Sequence, residues 1–234
     1  MSNRLAVVVV ALLVGAGVYV GATAVENALT SDPGLTTNGE VVATNATMHL
    51  DRVGRPTAVG EVMNGRNEPI RDATVTVTFR GDDGRTETVT GGTILATIPA
   101  GERSPFVVRL ANRTARPADL SVDVSYESST ERPYDGLVVV EDRTTGRSES
   151  QVTVAGRVEN RGGEAVTADV VATFYDANGS VVGARTVPTS PRTLGPGETG
   201  GFQVRYRTLG DVPSRAGEVD HYALAVRAQP AGQS

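Results

Sequence analysis

Asp176, Asn178 and Ser180 place oxygen-bearing side chains at alternate positions, with Gly179 between the last two. Such spacing can hold Ca²⁺ in a tight loop, although the bidentate Glu that closes an EF-type loop does not follow. Asn178-Gly179 is also a strong hairpin signal. The turn is the simpler reading here, as it is for Asp82-Asp83-Gly84. His49 and His221 are the two histidines, and neither has a His neighbour. The chain has no Cys, which excludes thiol catalysis, disulfides, Cys-based zinc sites and a lipid anchor on an N-terminal Cys. His221 therefore reads as a strand residue rather than a metal ligand.

Other chemistries lack their parts as well. No Gly-x-Ser-x-Gly nucleophile elbow occurs. No Gly-rich loop leads from a strand into a helix, as phosphate binding would need. Glu102 and Glu198 follow Pro-x-Gly and Pro-Gly turns and are expected at exposed strand entries. They fall in separate modules, so they make no acid–base pair. Asn64 and Asn160 each end a strand before a turn, where an Asn side chain caps turn backbone groups. Neither catalytic residues nor a cofactor is expected, and the chain reads as a non-enzyme. Three sequons, at Asn112, Asn45 and Asn178, are glycosylation candidates on an exported chain. Asn112 lies in an expected loop, whereas Asn178 would sit in a tight turn.

These residues are positioned by a repeat. Gly60, Val62, Asn64, Gly101, Glu102 and Phe106 recur as Gly156, Val158, Asn160, Gly197, Glu198 and Phe202, at a constant offset of 96. Val75, Val77, Phe79 and Gly84 match Val170, Ala172, Phe174 and Gly179 at an offset of 95. The one-residue difference is assigned to the loop after the Asn. A domain-sized period means a duplicated domain, not a solenoid. Val75, Val77 and Phe79 alternate with Thr74, Thr76 and Thr78, the pattern of a half-buried antiparallel strand. Short runs of this kind, punctuated by Gly and Pro turns, predict a seven-stranded sandwich. In the second copy, strands are expected over 137–140 and 151–158, with a loop over 144–150.

Composition narrows the partners. All 22 basic residues are Arg, acidic residues number 27, and the net charge is −5. That balance resembles haloarchaeal proteins. Without a basic cluster, nucleic-acid binding is not expected. Residues 5–25 are apolar and uncharged, long enough to cross a ~30 Å hydrocarbon core. Arg4 precedes them and Glu26 follows, which keeps the N-terminus cytoplasmic and exports the rest. Two readings stay open: an uncleaved anchor, or a signal peptide cleaved after Ala24. The expected organisation is a cytoplasmic 1–4, a membrane segment 5–25, a linker 26–40, a first sandwich 41–127, a linker 128–136 and a second sandwich 137–229.

The second module resembles the FxLYD domain family, an extracytoplasmic β-sandwich. The resemblance rests on Gly156-x-Val158-x-Asn160, on Phe174-Tyr175-Asp176-x-Asn178-Gly179, and on Pro196-Gly197-Glu198 followed by Phe202. In the first module Phe79-Arg80-Gly81 stands in place of Phe-Tyr-Asp. The resemblance implies an immunoglobulin-like fold on a secreted or membrane-anchored protein and brings no enzymatic activity.

The expectation is an all-β chain of two tandem immunoglobulin-like antiparallel β-sandwiches after an N-terminal transmembrane helix. It would sit in the cell membrane by a single span, with its bulk on the extracellular face, or be secreted after cleavage. Its function would be binding or scaffolding toward a cell-surface protein or glycan. The alternatives are a structural envelope component or an accessory to an enzyme or transporter. Any property private to the second module is sought at Tyr175, Asp176 and the adjoining loops.

Overall fold

The computed structural model describes residues 40–51, 53–112, 117–207 and 218–230. The expected membrane segment 5–25 and residues 26–39 of the expected linker lie outside the described residues. Every named element is a strand, and the registered strand pairs are antiparallel. Among the described residues, no helix is long and apolar enough to cross a membrane.

The first seven strands are β1 (Val41–Leu50), β2 (Pro56–Asn64), β3 (Ile70–Gly81), β4 (Thr86–Gly92), β5 (Thr97–Ile98), β6 (Arg103–Arg109) and β7 (Pro117–Ser128). The remaining six are β8 (Leu137–Ser148), β9 (Gln151–Asn160), β10 (Val166–Tyr175), β11 (Val181–Leu194), β12 (Thr199–Arg207) and β13 (His221–Pro230). The chain divides into two compact units, one built on β1–β7 and one on β8–β13.

In the first unit, one sheet runs β1-β2-β6, and β3 of the other pairs with β4, β5 and β7. Val75, Val77 and Phe79 are buried while the intervening threonines are half-buried, so the period-2 pattern faces one core. Side chains of both sheets, among them Ile70, Val75, Phe79, Val62 and Phe106, meet in a single apolar cluster. That is how a β-sandwich buries one face of each sheet.

The second unit repeats the path. β9 lies between β8 and β12, and β10 lies between β11 and β13. The core again draws on both layers, with Val154, Val158, Val170, Phe174, Phe202 and Tyr206. The strand β11 carries out in one piece what β4 and β5 do in two. It pairs with β10 through Pro188, touches β12 at Ser190, and returns to β10 at Thr193 and Leu194. In the first unit, β4 pairs with β3 through Gly92, Thr93 bridges to Phe106 of β6, and Thr97 and Ile98 return to β3. Six strands and seven strands thus trace the same route.

Two readings of the sequence change. The first concerns the one-residue slip, which lies inside β3 and not in the loop after the Asn. Ile70 pairs with Ile98 and Val166 with Leu194, both at offset 96. Beyond that point Thr74 pairs with Gly92 and Asp169 with Pro188, so between these two pairings β3 carries one residue more than β10. The extra residue is Asp72, held at φ 50° beside a break in the β3–β7 register. A β-bulge absorbs it without turning the following apolar face away from the core.

The second change concerns 144–150. Residues 144–148 belong to β8, which continues to Ser148 and pairs with β9 along its length. β8 ends its sheet, and most of its side chains beyond Val139 are exposed. A polar edge strand carries no apolar alternation, so periodicity does not reveal it.

Candidate functional site

The turn asparagines form the most closely duplicated polar feature. Asn64 is fully buried, and its amide donates to the carbonyls of Glu68, Ile98 and Pro99 at 2.9, 3.0 and 2.9 Å. Its side-chain oxygen accepts from Arg66 N at 3.1 Å. Asn160, equally buried, donates to Glu164 O at 2.7 Å and Leu194 O at 2.8 Å, and accepts from Gly162 N at 3.0 Å. The backbones match as well. Gly101 N bonds Asn64 O and Asn64 N bonds Glu102 O, as Gly197 N bonds Asn160 O and Asn160 N bonds Glu198 O. Each Asn therefore ties a strand end to two loops through hydrogen bonds to their backbone.

The paired glycines serve the same scaffold. Gly60 stands opposite Phe106 in the β2–β6 register, and Gly156 opposite Phe202 in β9–β12. A Cβ at Gly60 would come within 2.6 Å of the Phe106 ring, and one at Gly156 would come within 2.6 Å of the Phe202 ring and 2.2 Å of Glu141 O. The missing side chain gives each ring its place in the core, where burial contributes about 2–3 kcal/mol.

Glu102 and Glu198 diverge. Glu198 is exposed and its carboxylate accepts from Gly195 N at 2.8 Å. Glu102 is half-buried, contrary to the expectation of an exposed strand entry, and burial pushes its carboxyl pKa up.

The residues peculiar to the second unit gather at one end of the β10–β13 pair. Tyr175 closes β10 directly opposite His221, the first residue of β13. Their rings stack at 4.9 Å between centroids and 11° between planes. Asp220 N donates to Tyr175 O at 2.7 Å, and the Asp220 carboxylate lies 3.2 Å from His221 Nδ1. Arg147 of β8 donates to Asp220 O at 3.0 Å. Asp176, Asn178 and Ser180 follow in the β10–β11 turn, where Gly179 takes φ 78°. Sequence separation hid this grouping, since Tyr175 and His221 meet only through strand pairing.

His49 belongs to β1, and the two histidines fall in different units. Among the described residues, no three His, Cys, Asp or Glu side chains group closely enough to hold a metal ion. Of the sequon asparagines, Asn45 lies within β1 at φ 55°, Asn112 follows β6, and Asn178 lies in the β10–β11 turn. All three are exposed, Asn178 included.

Three polar contacts had no forerunner in the sequence reading. Tyr134 Oη donates to Asn160 Oδ1 at 2.6 Å. Tyr222 Oη donates to Asp142 at 2.6 Å, and burial, then the Asp142 carboxylate, push its phenol pKa far up. Asp169, on β10 and almost fully buried, accepts from Arg227 at 2.6 Å and lies 3.6 Å from Arg192. A lone charge in the run Val166–Tyr175 is the signal that could have singled out Asp169.

No family model and no curated protein sequence matches the chain. Similar solved structures include a red sea bream transglutaminase, at 12% identity and TM-score 0.23, covering 79% of this chain and 31% of that one. A Bacteroides uniformis β-glucuronidase 2 is similar at 15% identity and TM-score 0.23, over 69% of this chain and 22% of that one. An Amycolatopsis orientalis exo-chitosanase is similar at 13% identity and TM-score 0.26, over 79% and 25%. This chain spans less than a third of each. Likeness at these scores carries no argument about fold or activity.

Proposed function

We propose that this chain is a non-enzymatic, membrane-anchored extracellular binding or scaffolding protein. Its two units would be tandem immunoglobulin-like sandwiches, the second of FxLYD type. The observation that carries the reading is the division of labour between shared and private residues. The shared ones, Asn64 with Asn160 and Gly60 with Gly156, are consumed by backbone and core contacts. The private polar ones, Tyr175, Asp176, Asp220 and His221, collect at one end of the second unit. A scaffold repeated twice with a distinct polar end on one copy suits recognition through loops and strand ends. The partner would be a cell-surface protein or glycan.

Two experiments test this. External protease on intact cells should remove the body of the chain, and a protected body would overturn the topology. Affinity capture from solubilised envelope membranes should recover one stoichiometric partner with the parent chain and lose it with the Asp176→Ala/His221→Ala double variant. Recovery of only bulk envelope material, unchanged in the variant, would favour a structural spacer instead.

A further inference from the structure

We propose that the outer face of the β8–β9–β12 sheet docks an acidic polysaccharide, a glycan with repeated carboxylates or sulfates. The face belongs to the other sheet from Tyr175 and His221, and its charge does not depend on how the chain is anchored.

Strand alternation builds the face. On β12, Phe202, Val204 and Tyr206 are buried while Gln203, Arg205 and Arg207 are exposed. On β9, Val152, Val154 and Val158 enter the core, so Gln151, Thr153, Ala155 and Arg157 point the other way. Pairing then sets Arg207 opposite Gln151, Arg205 opposite Thr153 and Arg157 opposite Gly201, and it brings Arg143 of β8 opposite Ala155. All four arginines are exposed. The Arg157 and Arg207 rows stand six residues apart on β12, a span of about 20 Å. No run of basic residues announces this face, because strand pairing alone gathers it.

The charge is not neutralised in place. Glu141 stands opposite Arg157, but its carboxylate bonds Arg143 at 2.9 Å. Glu159 bonds Arg161 at 3.0 Å. Among the described residues, no carboxylate pairs with Arg157, Arg205 or Arg207, and Arg205 donates to the neutral Gln203. A chain of net charge −5 thus keeps three arginines free on one sheet face. The first unit does not share them. At the positions 96 residues earlier stand Glu61, Arg109 and Ala111, so the charge at Arg157 is reversed.

Charge complementarity calls for a polyanion, and the rest of the face selects among polyanions. Among the residues paired in these rows none is aromatic, and the largest apolar one is Ala155. Bases have nothing to stack on, and a lipid surface has no apolar side chain to take up. An acidic peptide laid across a face finds no strand edge there for its backbone. A glycan brings its own hydroxyls to Gln151 and Gln203, and its regular charges to the arginines.

The test is fluorescence anisotropy of a labelled polyuronate with the full chain in non-ionic detergent at low ionic strength. The polyuronate should bind, neutral dextran should not, and about 1 M salt, where the screening length is about 3 Å, should abolish binding. Arg157→Ser/Arg205→Ser/Arg207→Ser should weaken it by about tenfold or more. Gln203→Glu leaves every arginine in place and should weaken it as well. Arg80→Ser/Arg85→Ser/Arg132→Ser makes the same change in net charge elsewhere on the chain and should leave affinity within about twofold of the parent. Unchanged binding in both face variants, or an equal loss in the control, would overturn the inference. So would tighter binding to duplex DNA, polyglutamate or anionic phospholipid vesicles than to the polyuronate.

Discussion

Tyr134 Oη donates a 2.6 Å hydrogen bond to Asn160 Oδ1 from a residue that precedes the first strand of its unit. Its ring also closes over Gly162, where a Cβ would meet Tyr134 Oη at 1.9 Å. Residues 128–136 are therefore more than a connector. Ser129 N bonds Pro69 O in the first unit, and Tyr134 completes the asparagine hub of the second.

Removing that hub should cost far more than removing its phenol. Asn160→Ala leaves the buried Leu194 carbonyl without its amide partner and also loses the bonds to Glu164, Gly162 and Tyr134. A loss of about 2–4 kcal/mol is expected, against about 1 kcal/mol for Tyr134→Phe. Urea titration measures the loss. Hydrogen exchange should place it at the ends of β9 and β11, and Asn64→Ala should place the corresponding loss at β2 and β5.

Gly156→Ala should destabilise by about 2 kcal/mol or more, because a Cβ there meets both the Phe202 ring and the Glu141 carbonyl. Adding Phe202→Leu should recover only part of the loss, since the backbone clash stays. At Gly60 the obstruction is the Phe106 ring and Ala46 Cα at 3.0 Å, so Gly60→Ala is expected to be milder. A double-mutant cycle in denaturant separates ring from backbone.

Asp169→Asn should weaken the second unit by about 1–3 kcal/mol, because Arg227 keeps its charge while losing a charged partner. Arg192→Ala should change stability by less than about 1 kcal/mol, as its side chain is 58% exposed and 3.6 Å away. Thermal unfolding of the two variants decides the order. Equal effects would contradict this account.

Tyr222 makes a pH prediction. Burial and Asp142 raise its pKa in the folded chain, so the folded state holds the phenolic proton more tightly than the unfolded state. The associated stability is fully present below the ordinary tyrosine pKa of about 10. It is lost as pH rises from there through the folded value, while the unfolded chain ionises first. Tyr222→Phe should flatten the alkaline limb of the stability profile. Glu102, also raised, has the same sign in the acid range. Stability falls as pH climbs past the ordinary carboxylate value, and Glu102→Gln should remove that slope.

Alternation of Val and Thr in β3, the Gly-Val-Asn recurrence and the Pro-Gly-Glu turns were legible in the sequence because each is a local or strictly periodic signal. They sufficed for all-β structure, for the duplicated plan, and for the turn-capping asparagines, whose partners lie at matching offsets. Tertiary structure alone decided the rest. The slip in register is a single bulged residue, Asp72, which either a loop or a strand could have absorbed. The second half of β8 pairs through its backbone, and its polar side chains leave no period to read. Tyr175 with His221, Asp142 with Tyr222, and Asp169 with Arg227 each join distant parts of the chain. Their contacts follow from which strands lie side by side, a choice made by packing the whole core and written in no single stretch of it.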